Sequence, residues 1–177
     1  MRHSRATFRM AGQLDGPFQG GPDRPGGWHF AIEPELHLGP DILVPDLAGW
    51  RRERMPVFPD TAATDLAPDW VCEILSPSTA KLDRTKKLPI YAHQGVGHVW
   101  LIDPATKTLE VLRLETGRYT ILATHADEPL VRAEPFDAIE LERRRLGQVS
   151  QMAVASPDQT AAGLVQDGLN LIVGHIA

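Results

Sequence analysis

Two carboxylates interrupt apolar patterns in this chain of 177 residues. Glu73 lies at the centre of the run Trp70 to Leu75, which has the length and residue types of a buried strand. Asp46 lies on the apolar face of a second predicted strand, Asp41 to Trp50, in phase with Ile42, Val44 and Ala48. Burying an unpaired charge costs on the order of several kcal/mol. Each carboxylate is therefore expected to be paired, protonated, exposed at a cleft or bound to a metal.

Asp46, Glu73 and Lys87, with Glu35 as an outer candidate, have the residue types of a metal-assisted hydrolytic site. Two carboxylates can hold Mg²⁺, which prefers oxygen ligands and leaves positions for waters and a substrate phosphate. A lysine ammonium can stabilise negative charge at phosphorus, and it can orient the attacking water or assist in its deprotonation. This combination indicates phosphodiester hydrolysis, although the spacing alone leaves structural alternatives open.

Each candidate has a structural alternative. Glu73 could be a buried acid paired with an arginine or histidine, and Asp46 could cap backbone donors at a turn. Asp83 and Lys87 are spaced as on a helix and could form an ordinary surface pair, with Lys86 facing the cleft instead. Tyr91 has the character of a packing residue with its hydroxyl at the rim.

The strands that would position the acids are predicted from hydrophobic alternation. Residues Phe30 to Leu38 alternate with period two, Gly39-Pro40 makes a turn, and Asp41 to Trp50 follows, which predicts an antiparallel hairpin. Val99 to Asp103, Thr108 to Leu114 and Arg118 to Thr124 predict a three-stranded antiparallel meander. A strand near Ala138 to Leu141 would complete the sheet.

Three other segments are less regular. Ser76 to Thr79 is a turn-and-cap cluster before a charged segment, and Pro89 predicts either a late helix start near Asp83 with a kink or an interruption at Lys87. Residues 1 to 13 predict a short helix or an irregular end. The stretch Gly12 to Gly27 is rich in glycine and proline and predicts a loop.

Composition restricts the class of protein. A hydrophobic content of 42% is enough for one core, and the net charge of −5 argues against non-specific nucleic-acid binding over the whole surface, although a local basic groove is compatible with it. The single cysteine, Cys72, fits a reducing compartment, so we expect a cytoplasmic protein. No apolar run approaches the roughly 18 residues of a membrane span, and the start lacks a signal-peptide core, so we expect a soluble protein without a membrane partner.

Four sequence segments together resemble a known family. They are Val44-Pro45-Asp46, then Val71-Cys72-Glu73-Ile74-Leu75-Ser76-Pro77-Ser78-Thr79, then Asp83 with Lys87 and Tyr91, and finally Gly95-Val96-Gly97-His98-Val99-Trp100-Leu101-Ile102-Asp103-Pro104. Over residues 28 to 141 this order resembles the bacterial putative restriction endonuclease family of the PD-(D/E)XK nuclease superfamily. The resemblance implies an α/β (α+β) fold with a restriction-endonuclease-like core: a mixed twisted sheet, an antiparallel meander and flanking helices.

The resemblance also implies roles for the candidate residues. Asp46 and Glu73 would be the first and second metal ligands, for Mg²⁺ or for Mn²⁺ as its substitute, and no other cofactor is implied. Leu75 occupies the usual place of the lysine, which is expected to have moved to Lys87 on the following helix. Auxiliary roles fall to Glu35, Asp83 and Tyr91. The substrate would be DNA, and a homodimer is expected because nucleases that cut both strands often act as dimers.

The resemblance divides the chain into three parts. Residues 1–27 would be an N-terminal remnant with its loop, 28–145 the nuclease-like domain, and 146–177 a poorly ordered or atypical tail. Family members usually begin with a further helix and a small strand pair, so the start is expected to be truncated.

Two other functions compete with a nuclease. A truncated nuclease fold could bind nucleic acid or a protein partner without catalysis. Alternatively, Glu33, Glu35 and His37 could form a metal site in a small β-barrel, which the strand-turn-helix segment disfavours. Basic residues that could line a phosphate-binding groove, or simply form solvated surface, are Arg51, Arg52, Arg54, Lys81, Arg84 and Lys86.

Overall fold

The centre of the molecule is a six-stranded mixed sheet. The computed structural model describes residues 2–18, 26–61 and 63–142. Its strands are β1 (Trp28–Ile32), β2 (Glu35–Leu38), β3 (Asp41–Leu43), β4 (Leu47–Arg51), β5 (Ala63–Thr64), β6 (Trp70–Ile74), β7 (His98–Asp103), β8 (Thr108–Glu115), β9 (Arg118–His125), β10 (Leu130–Val131) and β11 (Leu141–Glu142). The main sheet has the order β1-β4-β6-β7-β8-β9, in which β6 and β7 are parallel and the other neighbours antiparallel.

The predicted meander is confirmed. β7 pairs with β8 over its whole length, and β8 pairs with β9 from Glu115↔Arg118 to Leu109↔His125. Gly117 has a φ of +81° in the connecting turn, a conformation that glycine adopts without the steric penalty of a Cβ atom. The turn chemistry of this stretch therefore predicts the strand pairing directly.

The predicted hairpin is antiparallel, but each of its arms is two strands and not one. β1 pairs with β4 in the main sheet, and β2 pairs with β3 in a separate three-stranded sheet of order β3-β2-β5. The break lies at Glu33, which has a φ of +49°, next to Pro34. Opposite it, Pro45 cannot donate a ladder hydrogen bond. The outer half of the hairpin thereby leaves the main sheet.

This break makes the predicted phase of Asp46 wrong. Ile42 and Val44 are exposed whereas Ala48 is fully buried, so the three side chains do not share one buried face. Asp46 itself is partly buried in the bend between β3 and β4. It therefore stands at an end of a main-sheet strand, where the chain changes direction.

A helix covers one face of the main sheet. Helix α1 (Arg2–Phe18) buries Met10, Leu14 and Phe18 in the core, at four-residue intervals along one side. The expectation of a loop from Gly12 onward is therefore wrong for Gly12 to Phe18, because the apolar stripe outweighs the low helix propensity of glycine. The division into parts at residue 27 stays a prediction, and residues 143–177 lie outside the described residues.

The main sheet has a hydrophobic core on each face, and β6 is buried along all five residues. Trp70, Cys72 and Ile74 belong to the core under α1, together with Trp100. Val71 faces the opposite core. Glu73 shares that second side by strand alternation, so its carboxylate is directed away from α1.

The last strand is not part of the main sheet. β11 pairs with β10 in a two-stranded sheet, so the expectation that a strand near residues 138–141 completes the main sheet is wrong. Gln13 of α1 exchanges hydrogen bonds with the backbone of Glu142, which attaches β11 to the helix instead. Among the described residues, no helix has both the length and the apolar character needed to cross a membrane.

Candidate active site

Asp46 and Glu73 lie side by side at one end of the β4–β6 pair. The pairing ends at Leu47↔Cys72, so the next residue on each strand is Asp46 and Glu73. Beyond that point the Asp46 carboxylate replaces the strand partner: its Oδ2 accepts a hydrogen bond of 2.7 Å from the Ile74 N–H. The two acids that interrupt the apolar patterns are thus brought together by strand pairing.

A helical segment that begins at Ala80 carries Lys87. It consists of helix α2 (Ala80–Leu82), a π turn (Asp83–Lys87) and helix α3 (Leu88–His93). In the π turn, the Leu88 N–H donates to the Asp83 carbonyl five residues earlier. Pro89 explains the wide turn, since its ring would clash with the preceding turn of a regular α-helix. The structure agrees with the predicted helix start near Asp83, with a π turn in place of a kink, and the alternative of an interruption at Lys87 is wrong because the helix continues through that residue.

Two side chains of this segment bind Glu73. Lys87 Nζ donates to Glu73 Oε2 over 3.0 Å, and the Tyr91 hydroxyl donates to Glu73 Oε1 over 2.7 Å. Lys87 Nζ also reaches the Val44 carbonyl at 3.4 Å. Both oxygens of a carboxylate that is only 2% exposed are therefore engaged.

Asp83 belongs to the same cluster. Its Oδ1 lies 3.1 Å from Lys87 Nζ, and its side chain is 1% exposed. The expected surface pair of Asp83 and Lys87 is therefore wrong, because the helical segment turns both residues toward the sheet. Tyr91 is a packing residue of the second core, as expected, but the expected position of its hydroxyl at the rim is wrong, since the hydroxyl contacts Glu73 in the interior.

Burial dominates the electrostatics of the cluster. Desolvation raises the pKa of Glu73 to about 7, although Lys87 and the Tyr91 hydroxyl act to lower it. For Lys87, desolvation acts to lower the pKa, but the charges of Glu73 and Asp83 outweigh it and the pKa is raised. Burial, followed by the negative charges of Asp46 and Glu73, raises the pKa of the Cys72 thiol well above its ordinary value. Cys72 is therefore a neutral core thiol.

Glu35 lies apart from this cluster as a solvated residue. Its Oε1 is 2.6 Å from His37 Nε2, and both side chains are about half exposed. Across residues 2–18, 26–61 and 63–142, no three or more His, Cys, Asp or Glu side chains group as a metal site. A metal site built from Glu33, Glu35 and His37 is therefore not formed, and the open six-stranded sheet rules out the small barrel that went with it.

The basic residues do not line one groove. Arg51 stacks over the Trp28 ring and Arg54 pairs with Asp69, both at the end of β4 remote from Asp46. Arg84 binds both carboxylate oxygens of Glu110 on β8. Arg52 donates a hydrogen bond to the Trp28 carbonyl over 3.3 Å. This leaves Lys81 and Lys86 as exposed cations on the helical segment that carries Lys87.

The acids of the cluster fit a hard divalent cation. Asp46 and Glu73 offer carboxylate oxygens on adjacent strands, and Mg²⁺ in proteins is often bound by one or two carboxylates, with waters and substrate phosphate completing its coordination. A third carboxylate ligand is not required for that mode of binding. Sequence reasoning had no signal for two further members of the site, the Ile74 N–H and the Val44 carbonyl, because both are backbone groups.

An α/β fold whose mixed sheet presents two adjacent acids to a lysine on the following helix defines a restriction-endonuclease-like protein. Residues 2–146 match the model of the Uma2 family, described as "Putative restriction endonuclease". The chain belongs to this family. The match begins at residue 2 and so includes α1, whereas the sequence resemblance begins at residue 28.

A solved structure supports the same assignment. The chain is similar to a putative nuclease belonging to DUF820 from Anabaena variabilis, with 26% sequence identity and a TM-score of 0.64. The alignment covers 82% of this chain and 80% of that one. No curated protein matches the chain.

Proposed function

We propose that this protein is a Mg²⁺-dependent endonuclease that hydrolyses phosphodiester bonds of DNA. The observation that carries the proposal is the convergence of Asp46, Glu73 and Lys87 at one end of the β4–β6 pair, with Lys87 Nζ 3.0 Å from Glu73 Oε2. The family description and the name of the solved neighbour, a putative nuclease, support the same class of reaction.

The residues of the cluster take different roles. Asp46 and Glu73 would hold the Mg²⁺ ion, or Mn²⁺ in its place, and the ion would supply positive charge to the phosphate oxygens when bound. Lys87, an ammonium paired with carboxylates, donates hydrogen bonds and stabilises the negative charge that builds up on phosphorus oxygens. Tyr91 fixes the orientation of Glu73 through its hydrogen bond to Oε1. The Ile74 N–H fixes Asp46 in the same way.

The first experiment is cleavage of supercoiled plasmid DNA in Mg²⁺ and in EDTA. Wild-type protein should nick or linearise the plasmid only with Mg²⁺, and Asp46→Asn, Glu73→Gln and Lys87→Met should each lose activity by roughly a hundredfold or more. The matched control is Lys86→Met, which removes an exposed lysine adjacent to Lys87 in sequence. It should retain cleavage, because its charge is not part of the buried cluster.

The same preparation distinguishes the non-catalytic alternative. A protein that binds plasmid DNA with salt-sensitive affinity but never cleaves it in Mg²⁺ or Mn²⁺ would contradict the proposal and support a binding role. Loss of cleavage in Lys86→Met with retention in Lys87→Met would instead move the catalytic lysine by one position. The homodimer stays a prediction, which sedimentation of the full chain with and without DNA would test.

A further inference from the structure

Asp83 is a buried carboxylate for which the proposed reaction has no role so far. Carboxylates are almost never fully buried unless they are paired, and the side chain of Asp83 is 1% exposed. Its Oδ1 lies within ion-pair distance of Lys87 Nζ, at 3.1 Å. Among the described residues neither Asp83 oxygen has a hydrogen-bond partner by geometry, so the contact with Lys87 is an ion pair. Asp83 therefore has unused capacity to accept from Lys87.

The ammonium of Lys87 is shared unequally between two acids. It makes an aligned hydrogen bond of 3.0 Å to Glu73 Oε2, while Asp83 supplies the second, less well aligned contact. Without a divalent ion, the carboxylates of Glu73 and Asp83 face one ammonium, and Asp46 lies beside Glu73 at the same end of the sheet. A divalent cation held by Asp46 and Glu73 would make the charges of the cluster balance, with Asp83 as the acid left for Lys87.

The π turn lets the three helical residues face the same point. In a regular α-helix of 3.6 residues per turn, positions four apart drift by about 40°, so Asp83, Lys87 and Tyr91 would span about 80°. The wider turn over Asp83–Lys87 reduces this drift. As a result Lys87 and Tyr91 both bind Glu73, and Asp83 remains within reach of the same lysine.

We propose that Asp83 is a positioning residue that holds Lys87 in the active site when Glu73 binds the divalent ion. This inference rests on the proposed function, because it takes Asp46 and Glu73 as the metal ligands. An ion that draws on the Glu73 charge and repels the ammonium would otherwise displace Lys87 from the place where it meets the phosphate. Asp83, which is not one of the proposed ligands, keeps its full charge for the lysine.

The test is a Mg²⁺ titration by calorimetry, without DNA, on four proteins. They are wild type, Asp83→Asn, Lys87→Met and the double variant Asp83→Asn/Lys87→Met. In Asp83→Asn the lysine has Glu73 as its remaining carboxylate partner and competes with the ion, so Mg²⁺ affinity should fall by roughly fivefold or more. In the Lys87→Met background no ammonium competes with the ion for Glu73. Asp83→Asn should therefore lower the Mg²⁺ affinity by a clearly smaller factor there than in the wild-type background.

A structural or purely electrostatic role of Asp83 predicts something else. Removing a nearby negative charge weakens cation binding whether or not Lys87 is present, so equal losses in the two backgrounds would overturn the inference. Melting in EDTA checks that each variant is folded. If Asp83→Asn does not fold, Asp83→Ser is used in the same comparison, since its smaller side chain leaves space for a water.

Cleavage assays separate failure of the inference from failure of the function. If wild type binds Mg²⁺ and cleaves DNA, and Asp46→Asn abolishes both, equal losses from Asp83→Asn in the two backgrounds refute the role of Asp83 alone. If folded wild type shows neither a calorimetric signal nor a melting shift with millimolar Mg²⁺ and does not cleave, both the function and the inference are refuted.

Discussion

Replacing Glu73 with glutamine should remove a loss of stability that the metal-free wild-type protein shows as the pH rises from about 5 to about 8. Burial raises the pKa of Glu73 from its ordinary value of 4.5 to about 7 in the folded protein. A carboxyl with a raised folded pKa binds more protons in the native state than in the unfolded state between these two values. The free energy of unfolding therefore falls as pH rises through this window.

The size of the effect follows from the shift. Each pKa unit corresponds to about 1.36 kcal/mol, so the shift of Glu73 from 4.5 to about 7 lowers wild-type stability by about 3 kcal/mol between acidic and alkaline pH. Glutamine does not titrate, so the variant lacks this fall in stability with rising pH. Lys87, whose pKa is raised from 10.5, stays charged in both states below that value, so its contribution is constant over the window.

The measurement is urea denaturation in EDTA of wild type and Glu73→Gln at about pH 5 and about pH 8. The difference in unfolding free energy, variant minus wild type, should grow by about 2.5 kcal/mol from the lower to the higher pH, somewhat less than the full shift because about pH 5 already lies above the ordinary pKa of 4.5. Titrating groups that do not interact with Glu73 cancel in this difference. The control Glu35→Gln, at a half-exposed position, should differ from wild type by less than about 0.5 kcal/mol at both pH values.

A difference that stays constant, or becomes smaller, between the two pH values would refute the reasoning. It would mean that Glu73 is not desolvated in the native protein, or that Lys87 and Tyr91 compensate its burial completely. In either case, burying the ionised Glu73 carboxylate would not carry the desolvation cost that the structure indicates.

Three further predictions concern the site and the core. Tyr91→Phe should lower the free energy of unfolding, measured by urea denaturation, by about 1.5–3 kcal/mol at about pH 8, where the hydroxyl donates to an ionised Glu73. The loss should be smaller at about pH 5. Millimolar Mg²⁺ should raise the melting temperature of wild type but not of Asp46→Asn, and an equal rise in both would place the ion elsewhere. Leu14→Ala should lower the free energy of unfolding by about 2–5 kcal/mol in urea denaturation, because Leu14 is fully buried under the sheet. The control Phe8→Ala, at a position 73% exposed, should change it by no more than about 0.5 kcal/mol.

Local signals in the sequence account for the parts of the fold that were predicted correctly. The meander β7–β9 combines alternating side chains with turn residues at each reversal, so both its strands and their pairing follow from neighbours in the chain. Glu73 stood out because a carboxylate in an apolar strand needs a compensating partner. These signals depend on residues a few positions apart.

The remaining features were missed for two reasons. The alternation of Phe30 to Leu38 continues across the bend at Glu33, and only Pro34 and Pro45 mark the point where the outer hairpin leaves the main sheet. The helix over Gly12 to Phe18 forms because Leu14 and Phe18 have a sheet to pack against. Tertiary packing of this kind overrides local propensity.

The burial of Asp83 shows why the site could be only partly predicted. A spacing of four residues predicts that Asp83 and Lys87 are neighbours on a helix, but it does not tell whether they face water or the sheet. The side that faces inward is set by Tyr91 in the core and by Arg84, which binds Glu110 on β8. Once the segment is fixed in this orientation, Lys87 is held between Glu73 and Asp83.

The cluster is better explained by function than by stability. An apolar residue in place of Glu73 would remove the desolvation that raises its pKa to about 7, and buried ion pairs are often no more stable than well-packed apolar groups of similar volume. The fold nevertheless places three carboxylates, a lysine and a tyrosine hydroxyl at one end of β6. The proposed site, with a divalent ion and a positioned ammonium, would account for this arrangement, because the ion would supply the positive charge that the cluster lacks.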